Sequence, residues 1–276
     1  MAAGLSSVGY PTRIVCTTTE SVDILYRLGL GDRVVGVSGF TTEPKEARRK
    51  PKIGTYTSVN LEAVRALRPD LVVAFSDLQA QIAHDLIREG FTVFALNQRT
   101  LRGTLEAILM LGSLVGAPGA AERLVTEMQA QMEAARARSQ TLLYHPRVYF
   151  EEWHDPLISG IGWVGELVEI AGGIDLFPDL KGHGGSERIV SPDEVVRRDP
   201  DLILASWCGK KVDVPGILSR EGWESVSAIQ HRRVYEVKSA HVLEPGPSLL
   251  KGLEEIQEII RRDFGRHDFG RHQERP

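Results

Sequence analysis

The sequence predicts an α/β protein of two lobes, each with a mostly parallel sheet flanked by helices, joined by one long bridging helix. Three observations carry this expectation. Short β-rich apolar runs alternate with longer helical stretches, which implies βαβ crossovers. The alternation stops after residue 100, where two helical segments follow one another with no strand between them, and then resumes. Residues 59–74 also find an ungapped counterpart 131 positions later, in residues 190–205. A chain of 276 residues accommodates two modest domains at ~150 residues each.

The elements follow in order. Arg13–Thr17 reads as a buried strand, Glu20–Leu28 as a helix stopped by Gly29, and Arg33–Ser38 as a second strand. Leu61–Leu67 is helical until Pro69 stops it, and Leu71–Phe75 is the third strand. The helix Leu78–Glu89, capped by Gly90, leads to a fourth strand, Thr92–Leu96. Leu101–Val115 and Ala120–Ser139 are helices joined at Gly116-Ala117-Pro118-Gly119. In the second of them Leu124, Met128, Met132 and Ala135 form an apolar stripe at helical spacing. About 20 residues of helix span ~30 Å, enough to run along two lobes; packing on one sheet is the other reading. Strands resume at Arg147–Glu151, Leu202–Ser206 and Arg233–Val237, with a helix at Val164–Ala171 ended by Gly172-Gly173. The expected divisions are 1–117, a connecting helix 118–142, 143–262, and a solvated tail 263–276. In that tail Asp263-Phe264-Gly265-Arg266-His267 repeats at once as Asp268-Phe269-Gly270-Arg271-His272; a weak metal contact through the two histidines is the alternative.

Composition excludes several classes of function. The net charge of −4 lacks the basic excess of a nucleic-acid binder. Two cysteines, Cys16 and Cys208, provide neither a disulfide framework nor a zinc knuckle. No apolar run approaches the ~18 residues that span a bilayer, and Met1–Tyr10 lacks the basic and apolar regions of a secretion signal. As encoded, the expectation is a cytoplasmic monomer; if a leader has been removed, it is a periplasmic or cell-surface one. Walker, dinucleotide-binding, nucleophile-elbow and His-Glu-x-x-His motifs are missing.

What remains is positional. Ligands of open parallel sheets bind beyond the carboxyl ends of the strands. Those ends carry Thr18, Asp77 and Arg99 in the first half, with Tyr56 on a loop, and Glu151, Trp153, His154, Trp207, Cys208, Lys210, Lys211 and His241 in the second. Trp163 starts the helix that follows Trp153. Tryptophans beside His, Lys and Gly suit a cleft for a large planar ligand; core packing is the alternative. Cys208 with His241 gives a candidate nucleophile and base, against which stands a simple half-buried thiol. No metal site is expected. His154 is the one candidate axial ligand to a metal, or else simply a polar cleft residue.

These residues carry a family resemblance. The first half, from Arg13-Ile14-Val15 through Leu28-Gly29-Leu30-Gly31-Asp32-Arg33-Val34-Val35-Gly36-Val37, Lys52-Ile53-Gly54 and Arg68-Pro69-Asp70-Leu71-Val72, resembles the first lobe of substrate-binding proteins of cobalamin and ferric-siderophore ABC importers. The second half is similar through Asp155-Pro156-Leu157-Ile158-Ser159-Gly160, Ala171-Gly172-Gly173, Pro200-Asp201-Leu202-Ile203 and Arg233-Val234-Tyr235. The resemblance spans roughly residues 12–262 and is strongest with the cobalamin branch. It implies a non-catalytic protein that needs no cofactor and takes a corrinoid between its lobes, with a siderophore or haem as alternatives. It also implies docking on an ABC permease dimer through one carboxylate per lobe. The matching positions are Glu62 and, 131 residues on, Asp193, where the family usually has Glu and where Glu194 follows. Solvated acids at helix N-termini, favoured by the helix dipole, are the other reading of both.

Overall fold

The computed structural model describes residues 9–180 and 184–265. His267 and His272, with the rest of the repeated tail segment, lie outside the described residues. The chain divides into two compact units: the residues up to Gln98 with Arg102–Glu127, and Arg99–Leu101 with the chain from Met128 onward. The long helix Pro118–Ser139 is therefore shared, its division falling after Glu127. Its predicted stripe is buried throughout: Leu124, Met128, Met132 and Ala135 all face protein.

The first unit is a parallel four-stranded sheet in the order β2-β1-β3-β4, with β1 Ile14–Cys16, β2 Val34–Val37, β3 Leu71–Phe75 and β4 Val93–Leu96. Every residue of β1 and β3 is buried, as strands of a parallel sheet covered on both faces must be. Local chemistry sets the helix Leu61–Leu67: Asn60 caps its start by accepting from the Ala63 N–H, and Arg68 leaves it in the left-handed conformation. Val15, Ile53, Val64, Val72 and Leu86 fill the core between this helix, its neighbours and the sheet.

The second unit is a mixed five-stranded sheet. β5 (Arg147–His154) is central, with β8 (Leu202–Ala205) and then β9 (Val234–Glu236) parallel on one side. Its other side is shared by β7 (Ile174–Asp175), parallel near its start, and β6 (Leu157–Ser159), antiparallel near its end. The expected strand stopped at Glu151. The observed one runs on to His154, because β6 folds back and pairs Glu151 with Ser159 and His154 with Leu157. Glu152, Trp153 and His154 are thus strand residues, not residues beyond a strand end. At the other end of the unit, the helix Leu249–Phe264 continues through Asp263 and Phe264, which the sequence reading assigned to the tail. Tyr149, Trp207 and Trp223 share one apolar core with Val195, Ile203 and Val234.

Candidate functional site

In the second unit the ends of β5 and β8 carry a layered arrangement. Its floor is Glu151, which has no exposed surface. A buried carboxylate is costly unless paired, and here Arg220 grips it with two hydrogen bonds, of 2.7 and 3.1 Å. The Trp207 indole N–H adds a third at 3.3 Å, and the Arg220 guanidinium lies 4.3 Å over the Trp223 ring. Burial, and then the charge of Glu151, hold the Tyr149 hydroxyl well above its usual pKa. On the neighbouring residue Glu152 pairs with Arg188, bidentate at 2.7 and 2.8 Å, and Arg188 also donates to the Ser159 carbonyl. Two part-buried Arg–carboxylate forks therefore hold adjacent residues of one strand.

Above that floor stand rings. The His154 imidazole meets Trp207 edge-on at 4.2 Å and lies 5.0 Å from Trp153, tilted by 32°. Lys210 brings its ammonium to 3.0 Å from His154 Nε2 and 5.4 Å from the Trp153 ring centre. An ammonium only donates, so Nε2 accepts and the ring proton sits on Nδ1. Trp153 is half-buried and Lys210 exposed, so this cluster offers a flat aromatic face, an imidazole and a cation to a ligand.

Several expected ligand contacts prove to be interior. Glu151 has its carboxylate taken by Arg220 and Trp207 and leaves no hook for a ligand. Trp207 is 5% exposed, and it supports His154 from below instead of presenting a face. Trp163 is 2% exposed, with its N–H spent on the Val242 carbonyl at 2.8 Å. Cys208 lies exposed in the turn after β8, yet its thiol is pushed up, first by desolvation and then by the charges of Glu152 and Glu244. His241 is mostly buried in the short helix Ser239–Val242, its Nδ1 2.5 Å from Glu255.

The first unit's strand ends are sealed by neutral groups. Buried Gln79 accepts from the Thr17 hydroxyl at 2.5 Å and the Phe75 N–H at 3.1 Å, and donates to the Tyr56 carbonyl at 3.0 Å. One amide thereby ties the ends of β1 and β3 to the Tyr56 loop. The Tyr56 hydroxyl reaches Thr19 at 3.1 Å, and its ring lies 5.7 Å from Phe40. Thr18 is buried and bonded to Glu20, so it too faces inward. Glu20 is buried in the first turn of the helix Thr19–Arg27, one oxygen without a partner, and desolvation raises its pKa to about 7. Ser76 stands at φ +63°, ψ 172°, a region that costs a non-glycine residue ~1–3 kcal/mol. It turns Asp77 and Leu78 outward; Leu78 is 71% exposed. Arg99 is half-buried and falls in the second unit.

The sequence model of a family described as periplasmic binding protein matches residues 14–240. The chain belongs to that family. It is 31% identical over 264 residues to the ABC transporter substrate-binding lipoprotein YvrC of Bacillus subtilis strain 168, covering 92% of this chain and 81% of the relative. It is 28% identical over 229 residues to a vitamin B12-binding protein of Vibrio campbellii, covering 78% and 81%. Its fold matches the periplasmic heme-binding protein RhuT of Roseiflexus with a TM-score of 0.77 at 24% identity, covering 91% and 98%. The protein is thus a substrate-binding protein of the ABC-transporter type, as the sequence motifs implied.

In this periplasmic binding protein the two acids singled out for docking hold equivalent places. Glu62 and Asp193 are each the second residue of a short helix, Leu61–Leu67 and Pro192–Arg198, and both are exposed. Glu194 differs: Arg197 and Arg198 bind it at 2.6 and 2.5 Å, which lowers its pKa. Among the described residues no helix is long and apolar enough to cross a membrane.

Sequence reasoning missed Arg220, Arg188, Gln79 and Glu255. Arg220 lies 69 residues from Glu151, and no spacing rule links them. The single available signal was a glutamate, Glu151, directly after the apolar run Val148–Phe150, a place that demands a partner.

Proposed function

We propose that this protein is the corrinoid receptor of an ABC importer, binding a cobalamin-like ligand without altering it. The observation that carries the reading is the cluster of Trp153 and His154 at the end of β5 with Lys210 from the loop after β8. A flat ring supplies apolar contact to a macrocycle, while Lys210 donates to its amide or phosphate oxygens, with Lys211 and Arg99 as further polar contacts. The vitamin B12-binding relative at 28% identity supports the choice of ligand. Glu62 and Asp193, exposed at equivalent helix starts, serve as the contacts to the two permease subunits. The lipoprotein relative supports work at the cell surface or in the periplasm.

Under this reading there is no catalytic step and no resident cofactor. The raised thiol pKa of Cys208 supports that: a protonated thiol is a poor nucleophile. Haem is the second ligand to test, because the fold matches a haem-binding protein. The deciding measurement is calorimetric titration with cyanocobalamin, with haemin alongside. Dissociation constants below ~1 μM, about 8 kcal/mol of binding free energy, support the corrinoid reading. No heat of binding with cyanocobalamin at ~100 μM overturns it, and haemin binding in its place would move the ligand to the iron tetrapyrrole.

A further inference from the structure

The cations of this chain are unevenly spread. Acids outnumber Lys and Arg overall, 37 to 33, yet residues 43–52 hold five cations against two acids, Glu43 and Glu46. Lys45, Arg48, Arg49 and Lys52 are exposed, and Lys50 is half-buried. Arg48 lies 4.0 Å from Glu43 and donates to the Thr42 carbonyl at 2.5 Å. The side chains of Lys45, Arg49, Lys50 and Lys52 have no carboxylate partner among the described residues. Glu46 acts elsewhere: desolvation first, and then the Glu46 charge, raise the Tyr26 pKa. Desolvation lowers the pKa of Lys52, the direction for an ammonium that no anion offsets.

The backbone beneath pins this patch. Lys45–Arg49 is a short 3-10 helix with Ala47 buried, and the Lys50 N–H closes onto the Ala47 carbonyl at 3.0 Å. The chain then runs along β2, at the edge of the first unit's sheet. There the Val37 N–H donates to the Pro51 carbonyl at 2.9 Å, and the Ile53 N–H to the Val37 carbonyl at 3.0 Å. A proline and a lysine already keep a foreign strand from pairing with such an edge. Edge protection does not call for four more cations just before it, and gathered like charges cost the fold.

The same ladder says where the patch lies. The Ile53 carbonyl accepts from the Asn60 N–H at 2.7 Å, and Asn60 caps the helix that exposes Glu62. The cations therefore adjoin the acid assigned to permease docking. A surface that meets a membrane-embedded permease also faces the lipid around it, whose anionic phosphates lie in a plane and attract basic segments.

We infer that Lys45, Arg48, Arg49, Lys50 and Lys52 rest on the anionic headgroups of the membrane as this receptor approaches its permease. The contact is electrostatic and reversible, with no apolar chain inserted to make it permanent. The inference rests on the importer reading above. It fails separately from it, because vesicle binding is read with neither ligand nor permease present.

The test is sedimentation with vesicles of phosphatidylglycerol and phosphatidylcholine, beside vesicles of phosphatidylcholine alone. The unaltered protein should bind the anionic vesicles only, and should release them at ~1 M salt, where screening acts within about 3 Å. Each cation near an anionic surface is worth about fivefold, so Arg49→Gln, Lys50→Gln and Lys52→Gln together should weaken binding about a hundredfold. Arg102→Gln, Arg123→Gln and Arg136→Gln remove the same charge from exposed helical positions and should weaken it far less. No binding of the unaltered protein to anionic vesicles at low salt overturns the inference without any variant having to fold. So does equal binding by the first triple variant, once circular dichroism shows it folded. Tighter binding to soluble polyglutamate than to the vesicles, at equal anion concentration, overturns the bilayer as the occupant in favour of an acidic polypeptide.

Discussion

The two units build the same helix–stop–strand segment and then diverge at the far end of the strand. Leu61–Leu67 and Pro192–Arg198 are each capped by a polar side chain, Asn60 and Ser191, that accepts from the third helical N–H. Each leaves its helix through a left-handed residue, Arg68 at φ +47° and Asp199 at φ +45°. Each is followed by Pro-Asp, and the aspartate receives the N–H of a residue at the start of the neighbouring strand: Arg13 by Asp70 at 2.9 Å, Arg147 by Asp201 at 2.8 Å. The carboxyl ends of the strands share nothing comparable. The first unit closes them with the neutral bonds of Gln79, Thr17 and Tyr56, the second with the Glu151–Arg220 and Glu152–Arg188 forks beneath Trp153 and His154. The amino ends of the strands carry the common frame, and the carboxyl ends carry what distinguishes the units.

All four tryptophans lie in the second unit, so tryptophan fluorescence follows that unit alone, while far-UV circular dichroism follows both. The largest contrast should come from Arg220→Ala. It strands a fully buried carboxylate and should cost about 3–5 kcal/mol, read as a fluorescence transition at lower urea. A variant whose fluorescence midpoint stays put would show that the ion-paired floor does not hold the second unit.

The matching change in the first unit is Glu20→Gln. The pKa of Glu20 is raised from 4.5 to about 7 in the folded protein, so the fold favours its protonated form. Its stabilising contribution is present in full at low pH and is lost as pH rises between 4.5 and 7. At ~1.4 kcal/mol per unit of pKa, the variant should gain up to about 3 kcal/mol over the parent at pH 8 and little at pH 5. Denaturation at the two pH values checks this, and parallel curves for parent and variant would break the contrast between a destabilising lone acid and a paired one.

The shared frame can be tested by changing the two aspartates alike. Asp201 also accepts from Tyr144 and ion-pairs with Arg147, whereas the exposed Asp70 carboxylate accepts from Thr12 and Arg13. Asp201→Asn should therefore cost about 1–3 kcal/mol and Asp70→Asn about 1. Equal losses would mean that the frame is energetically as symmetric as its geometry. The smallest effect is expected of Ser76→Gly, which should stabilise by about 1 kcal/mol through relief of its strained backbone; weaker ligand binding in that variant would tie the strain to the Asp77–Leu78 turn.

The frame was legible because it is local. Asn60 or Ser191, a short helix, Pro-Asp and an apolar strand are written within 16 consecutive positions, and the 131-residue offset shows them twice. The helical stripe from Leu124 to Ala135 was legible for the same reason, periodicity being a property of neighbours. Glu62 and Asp193 followed from that repeat as an equivalent exposed pair.

The site residues were less legible, and each for its own reason. Leu157–Ser159 is three residues long, too short for an alternation signal, so the end of β5 was placed at Glu151 and Trp153 and His154 beyond it. Trp163 and Trp207 resemble Trp153 in their sequence surroundings, yet two of the three are interior. What separates them is a long-range partner, the Val242 carbonyl for one and Glu151 for the other.

The sequence by itself determined the α/β class, the paired helix–strand frame, the family and the equivalent places of Glu62 and Asp193, because each rests on contacts between near neighbours or on the repeat. Tertiary structure alone decided which polar groups are free to meet a ligand. Glu151 was removed by Arg220, Thr18 was turned toward Glu20, and His241 was oriented by Glu255. A buried charge must find its partner wherever the fold brings one, and that distance through the chain leaves no local pattern to read.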